Sequence, residues 1–156
     1  MKRVMISLLM VIALCCTAFA YTGDAVVDDA DLLSDAEEMH LEEKILAMYD
    51  AYQFAPVLHT TFGTDGQAIH MYAAHYYDYN GYGYGDSHDG LIFVVDMAER
   101  EYVTVTTGMG IPYFSDHAIA SMEEAIVSYL SEGDYFAAFE GYLSHVESQL
   151  AFVNSQ

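Results

Sequence analysis

The chain has 156 residues and a formal net charge of −20, with 24 Asp and Glu against 4 Lys and Arg. Such a surface repels phosphate backbones and anionic lipid, which all but excludes nucleic-acid binding and polybasic attachment to membranes. At 54% hydrophobic and 14% aromatic residues it is too apolar for a disordered acidic tail, and its length suits one folded domain.

The first twenty residues read as an address. Lys2 and Arg3 form a positive start, residues 4–16 are an apolar run, and Ala18-Phe19-Ala20 ends in a small-residue cleavage signal. Residues 1–20 are therefore expected to be a signal peptide, with residues 21–156 as a single domain, secreted or periplasmic. An uncleaved anchor asks for about 20 apolar residues, more than this run supplies. A lipoprotein site asks for a small residue before the modified cysteine, whereas Leu14 precedes Cys15 and Cys15 precedes Cys16. Both cysteines lie in this segment, so the mature domain is expected to lack disulfides, thiol nucleophiles and Cys-ligated zinc. Cleavage would leave Lys44 and Arg100 as the only fixed cations and lower the charge to −22, two against 24 carboxylates. No later segment has the length and apolarity of a membrane span.

Residues 26–33 form a lead-in dense in carboxylates. Ser34 with Glu37 is a capping box, each side chain satisfying the other's free backbone N–H, and the helix it opens runs to about Gln53. Met39, Ile45, Met48, Tyr49 and Tyr52 are assigned to one side of it. Pro56 interrupts, residues 57–62 read as a strand, and residues 63–66 as a turn. A second helix covers residues 67–77 through Ile69, Tyr72, Ala73 and Tyr76. Residues 78–90 alternate glycine with tyrosine and read as a loop, whose tyrosines suit either recognition or nothing in particular. The continuous apolar run 91–96 predicts a strand covered on both faces, and the β-branched run 102–107 its hairpin partner. Thr107, Gly108, Met109 and Gly110 make a tight loop. Ser115 or Asp116 caps a third helix carrying Ile119, Met122, Ile126 and Tyr129, which Gly133 ends. The last helix carries Phe136, Phe139, Leu143, Val146, Leu150 and Val153 at three-four spacing, a core stripe rather than a coiled coil. This order predicts an α/β chain, a three-layer α/β/α sandwich around a small mixed sheet.

The strongest chemical signal is carboxylates on loops: Asp28, Asp29 and Asp31, then Asp86 and Asp89, then Asp116. Ligands of α/β sheets bind beyond the carboxyl ends of strands, and oxygen ligands without cysteine favour a hard cation such as Ca²⁺. Each Asp taken singly also serves as a helix cap or a solvated loop residue. Asp78, Asn80, Gly83, Asp86 and Asp89 fall at EF-hand spacing, yet Tyr82 holds a ligand position and no helix pair flanks them. Seven histidines contain no HExxH. His88 beside Asp89 and His117 beside Asp116 could join a site, though exposed histidines on an acidic surface are the plainer reading. No GxSxG and no Walker loop is present, and Asp96, Met97 and Ala98 do not make the Asp-x-Asp of a haloacid-type phosphatase.

Val26 to Ser34 resembles the opening V-x-D-x-A-x-x-L-S of the TPM domain family, named for thylakoid and membrane-associated members and including the YgcG proteins. Asp89, Gly90, Leu91 and Ile92 are similar to its D-N-G-hydrophobic entry into the central strand, with His88 where Asn is usual. Arg100 and Thr107-Gly108-Met109-Gly110 resemble its R-x-x-x-x-x-T-G-Y-G segment, and Asp116 matches the Asp opening the next helix. The resemblance spans about residues 24–150. It implies a TPM-type fold in extracytoplasmic or membrane-associated proteins, Ca²⁺ or another divalent cation in some members, and acid phosphatase activity in a thylakoid relative linked to photosystem II repair. Carried over residue by residue, it implies a metal site of Asp28, Asp89 and Asp116, with Arg100 and the turn of Gly108 and Gly110 beside it; Asp29, Asp86 and His88, from the reading of the residues themselves, are expected around that site. Many bacterial relatives continue into a membrane helix and a Gly-rich tail, whereas this sequence ends at Gln156, and no tether is expected.

Two functions are carried forward. One is a secreted cation-binding accessory module acting on an unknown protein partner, expected to be a monomer. The alternative is a metal-dependent acid phosphatase using a metal-activated water. Phosphoryl transfer needs positive charge around anionic oxygens, and only Lys44 and Arg100 offer it, so the module is preferred. Both expectations require Asp28, Asp89 and Asp116 to converge in space.

Overall fold

The computed structural model describes residues 24–156, so the expected signal segment and its cleavage point lie outside the described residues. In chain order the elements are β1 (Val26–Asp28), α1 (Asp35–Tyr52), β2 (Ala55–Thr61), α2 (Ile69–Tyr79), β3 (Gly90–Asp96), β4 (Glu101–Thr107), α3 (Gly110–Tyr113), α4 (Asp116–Glu132) and α5 (Tyr135–Asn154). The sheet runs β1-β2-β3-β4, with the first three strands parallel and β4 antiparallel to β3.

Side chains alternate across strands, so β3 feeds two cores at once. Leu91, Phe93 and Val95 pack with Leu58 against α1, α4 and α5, through Leu41, Ile45, Ile126, Phe139, Leu143 and Val146. Ile92 and Val94 pack with Val57 on the other face, under Ala73 and Tyr77 of α2 and the buried Tyr82. The mixed sheet between helical layers is the α/β/α sandwich expected. Phe93 stacks on Tyr142 at 4.2 Å, and the Tyr142 hydroxyl, fully buried, meets Thr104 Oγ1 at 2.9 Å.

Local chemistry explains the boundaries. The Ser34–Glu37 capping box is formed at the start of α1, with Ser34 N–H donating to Glu37 Oε2 at 2.8 Å. Ser115, rather than Asp116, caps α4 by accepting from Ala118 N–H, and Gly133 closes it at a φ of 78°. Two elements exceed the sequence reading: the lead-in contains β1, and α3 follows the Gly108 turn. Met39 is corrected: it is 61% exposed, while Leu41, Ile45, Met48 and Tyr49 form the buried stripe.

Both edge strands are covered by a helical glutamate. Glu42 accepts from the N–H groups of Ala25 and Val26, and Glu123 accepts from Thr104 N–H at 3.0 Å. These three N–H groups, which would otherwise invite another strand, are thus satisfied within the chain. Among the described residues no helix is long and apolar enough to cross a membrane.

Candidate functional site

Asp28 closes β1 and organises the corner that follows. Its Oδ2 accepts from Leu33 N–H at 2.7 Å, its Oδ1 accepts from the Thr60 hydroxyl, and that hydroxyl accepts from Ala30 N–H at 3.0 Å. Both carboxylate oxygens are therefore engaged in holding the loop to β2. Glu38 lies close to this corner, and its carboxyl is pushed up, first by burial and then by the like charges of Asp28, Asp35, Asp31 and Asp24. Asp29 is exposed at the same end.

Asp89 stands at the other end of the sheet. It precedes β3, where Asp28 ends β1, and parallel strands place these positions on opposite rims. The register sets Asp28 beside Thr60 and Gly90 beside Ala55. Five residues at about 3.3 Å each separate the two rims by roughly 16 Å along the strands. Asp116 is the exposed first residue of α4, and among the described residues no hydrogen bond joins it to Asp89 or Asp28. The expected convergence of Asp28, Asp89 and Asp116 does not occur. Among the described residues no three His, Cys, Asp or Glu side chains are gathered to hold a metal ion.

What does gather at the Asp89 rim is backbone. Asp89 Oδ1 accepts from Met109 N–H at 2.8 Å, its N–H and carbonyl bridge to Tyr84, and its carbonyl also accepts from Ala55 N–H. A Cβ on Gly108 would lie 2.2 Å from Asp89 Oδ1 and 2.5 Å from the Ser87 carbonyl oxygen, so both oxygens pack against the Gly108 backbone and leave no room for a side chain. A Cβ on Gly90 would meet the Tyr77 hydroxyl at 1.8 Å and the Ala55 carbonyl at 2.4 Å, and one on Gly110 the Gly90 carbonyl at 2.3 Å. Asp86 and His88 belong to this rim, with His88 Nδ1–H donating to the Tyr82 carbonyl at 3.0 Å. Asp89 Oδ2 has no hydrogen bond from the described residues. The side-chain oxygens this loop offers are the carboxylates of Asp89 and Asp86, the donor chemistry a hard divalent cation takes with water completing its shell.

The tyrosine-rich loop that leads to Asp89 is held from inside. Tyr82 is buried and donates to the Asp24 carbonyl at 2.9 Å, and Tyr84 meets Tyr49 edge-on at 5.0 Å. Tyr79 alone of these tyrosines is strongly exposed, at 88%. The alternation thus serves packing at Tyr82 and Tyr84. Arg100 lies on the β3–β4 hairpin, the rim opposite Asp89, and so stands apart from the glycine turn it was expected to accompany.

His59 was missed by the reading of histidines as exposed. It lies in the middle of β2, fully buried, stacked on Tyr76 at 4.0 Å with 9° between the rings. Nδ1 faces the Val27 carbonyl at 3.1 Å and Nε2 the Tyr72 hydroxyl at 3.0 Å. A carbonyl only accepts, so Nδ1 carries the proton and Nε2 accepts from Tyr72. Burial pushes its pKa below the usual histidine value, against the opposing pull of the Val27 carbonyl and of Asp29 and Asp28. A histidine directly after the apolar pair Val57 and Leu58, inside a segment read as a strand, was the available signal.

A family model for the TPM domain matches residues 26–149. Among curated proteins the chain is 32% identical over 118 residues to the UPF0603 protein YdjH of Bacillus subtilis (strain 168), covering 76% of this chain and 44% of that protein. The chain thus spans less than half that relative's length. Among solved structures it is similar to the N-terminal domain of the cg2496 protein of Corynebacterium glutamicum, with a TM-score of 0.66, 19% identity, and 86% and 84% of the two chains covered. It is also similar to the BA42 protein of the psychrophilic bacterium Bizionia argentinensis, with a TM-score of 0.65, 15% identity, and 76% and 81% covered. The N-terminal domain of a P. gingivalis protein gives a TM-score of 0.66 at 22% identity, with 81% and 82% covered. At these identities the three structures establish a common fold.

Proposed function

The chain belongs to the TPM domain family, and from that premise we propose that it is an extracytoplasmic accessory module that binds a divalent cation, Ca²⁺ foremost, at the Asp89 rim and acts on a partner protein. The observation that carries this reading is the Asp89 carboxylate, whose Oδ1 is fixed by Met109 N–H while its Oδ2 has no hydrogen bond from the described residues, with Asp86 on the same loop. Carboxylate and carbonyl oxygens are the donors Ca²⁺ takes, and a domain this acidic gains from neutralising charge. Met109 and Ile111, 41% and 64% exposed, give a partner apolar surface beside the same turn. The N-terminal pattern of residues 1–20 supports the extracytoplasmic setting. Asp28 and Asp116 drop out of the proposed ligand set, the first because both its oxygens are engaged and the second because no group of three such side chains gathers among the described residues.

The phosphatase alternative finds less support. The fixed cations of the described residues are Arg100, at the opposite rim, and Lys44, held by Glu140 at 2.6 Å. Neither stands beside Asp89 to receive a phosphate.

Thermal unfolding with and without CaCl₂ tests the reading. At about a hundredfold excess over Kd, mass action stabilises the folded state by about 2.7 kcal/mol, and Tm rises. Asp89→Asn removes the charge yet keeps an oxygen to accept from Met109 N–H, and it should abolish the rise. Asp28→Asn should keep it. A wild-type Tm indifferent to Ca²⁺, or an equal rise in Asp89→Asn, overturns the proposal.

A further inference from the structure

Lys44 and Arg100 are the two fixed cations of the described residues, and their situations differ. Lys44 is engaged with Glu140 at 2.6 Å and Ser144 at 2.8 Å. Arg100 is exposed and makes no ion pair among the described residues, although Asp96 and Glu101 share its hairpin. The Asp96 carboxylate accepts from Ala98 N–H at 2.9 Å instead. Arg100 also holds a φ of 60°, a left-handed conformation that costs an L residue about 1 kcal/mol and that glycine meets without strain. The turn requires the conformation. It does not require an arginine.

Beside Arg100 lies a cavity of about 290 Å³ between the hairpin and the junction of α4 with α5. Val127, Leu130 and Ser131, spaced three and four apart on α4, form one wall. Tyr102 of β4 and Tyr135 at the start of α5 form the others. Its lining is mostly apolar, with Arg100 the one cation on it.

We propose that this cavity binds a small organic anion: a carboxylate that pairs with the Arg100 guanidinium and carries an apolar body between Val127, Leu130, Tyr102 and Tyr135. The planar fork of arginine matches a carboxylate with two parallel hydrogen bonds, and the volume suits a small ligand. Asp96 and Glu101 on the same lining disfavour a second negative charge, which selects a monocarboxylate over a phosphate dianion. Screening over about 8 Å at physiological ionic strength weakens the long-range repulsion of the acidic surface, so the local pair decides. The site lies at the opposite rim from Asp89 and does not depend on the cation proposed there.

The test is a titration of the full chain followed by amide resonances, using sodium phenylbutyrate, its charge-inverted counterpart phenylbutylamine, and phenyl phosphate. Phenylbutyrate should shift Arg100, Val127, Leu130 and Ser131 saturably. Phenylbutylamine and phenyl phosphate should bind at least about tenfold more weakly. Arg100→Gln, a change on an exposed turn, should lose at least about tenfold in affinity for phenylbutyrate, as expected for one charge-assisted pair. Val127→Trp, which fills the cavity while keeping Arg100, should lose binding as well. Equal binding of the amine, unchanged affinity in Arg100→Gln, or no saturable shifts at these amides would overturn the proposal.

Discussion

Gly90 carries more of the architecture than any other residue at the Asp89 rim. Its missing side chain leaves room for the Tyr77 hydroxyl, which donates to the Ala55 carbonyl at 2.8 Å and ties α2 to the start of β2. Burial drives the Tyr77 hydroxyl pKa far up, so it remains a donor at any ordinary pH. Gly90→Ala would set a methyl against that hydroxyl and against backbone, combining overpacking with a lost buried hydrogen bond. We expect a loss of about 3 kcal/mol, read as a lower urea midpoint at unchanged slope. A midpoint within error of wild type would mean that the rim relaxes freely and that this crowding has no structural weight. The spacing of Asp89, Gly90, Gly108 and Gly110 was legible in the sequence. The reason for it was not, because close approach of Gly110 to the Gly90 carbonyl and of Gly108 to Asp89 is a tertiary fact.

At the scale of elements, the long periodic segments were legible and the short ones were not. The α5 stripe of Phe139, Leu143, Val146 and Leu150 is buried as its spacing predicts. β1 has three residues, too few for any period, and owes its existence to parallel pairing with residues of β2 32 positions further along the chain. Missing β1 had a consequence for the site. Once Asp28 is seen to end a parallel strand and Asp89 to precede one, their separation follows from topology alone. Met39 failed for a simpler reason: six residues at about 100° each turn it well away from Ile45.

His59 joins three elements, since its ring links Val27 of β1 and Tyr72 of α2 from the middle of β2. Its folded pKa lies below the unfolded value, so the unfolded chain binds more protons and stability rises with pH, falling as the solution is acidified. The contribution is complete above about pH 6.5 and declines below it, by up to about 1.4 kcal/mol per pH unit, until the folded pKa is passed. Glu38 acts in the opposite sense, since its raised pKa lets protonation relieve crowded carboxylates as pH falls. The difference between wild type and His59→Gln isolates the histidine. Denaturation at pH 7.5, 6.5 and 5.5 should give a wild-type decline that His59→Gln lacks, whereas parallel declines would place the titration elsewhere.

For the whole molecule, charge and fold pull in separate directions. Two ion pairs, both to Glu140, are formed among the described residues, and most carboxylates face solvent without a cation. Two of them, Glu42 and Glu123, cover the sheet edges, and Asp28 and Asp89 bind backbone at opposite rims. The carboxylates that the sequence grouped by residue type are thereby divided by strand direction, and at the Asp89 rim one carboxylate oxygen is left without a hydrogen bond from the described residues. That division is the central claim, and an amide-resolved Ca²⁺ titration tests it most directly. The account predicts saturable shifts at residues 86–90 and 107–110, with residues 28–33 unmoved. Shifts centred on residues 28–38, or none at either rim, would contradict it.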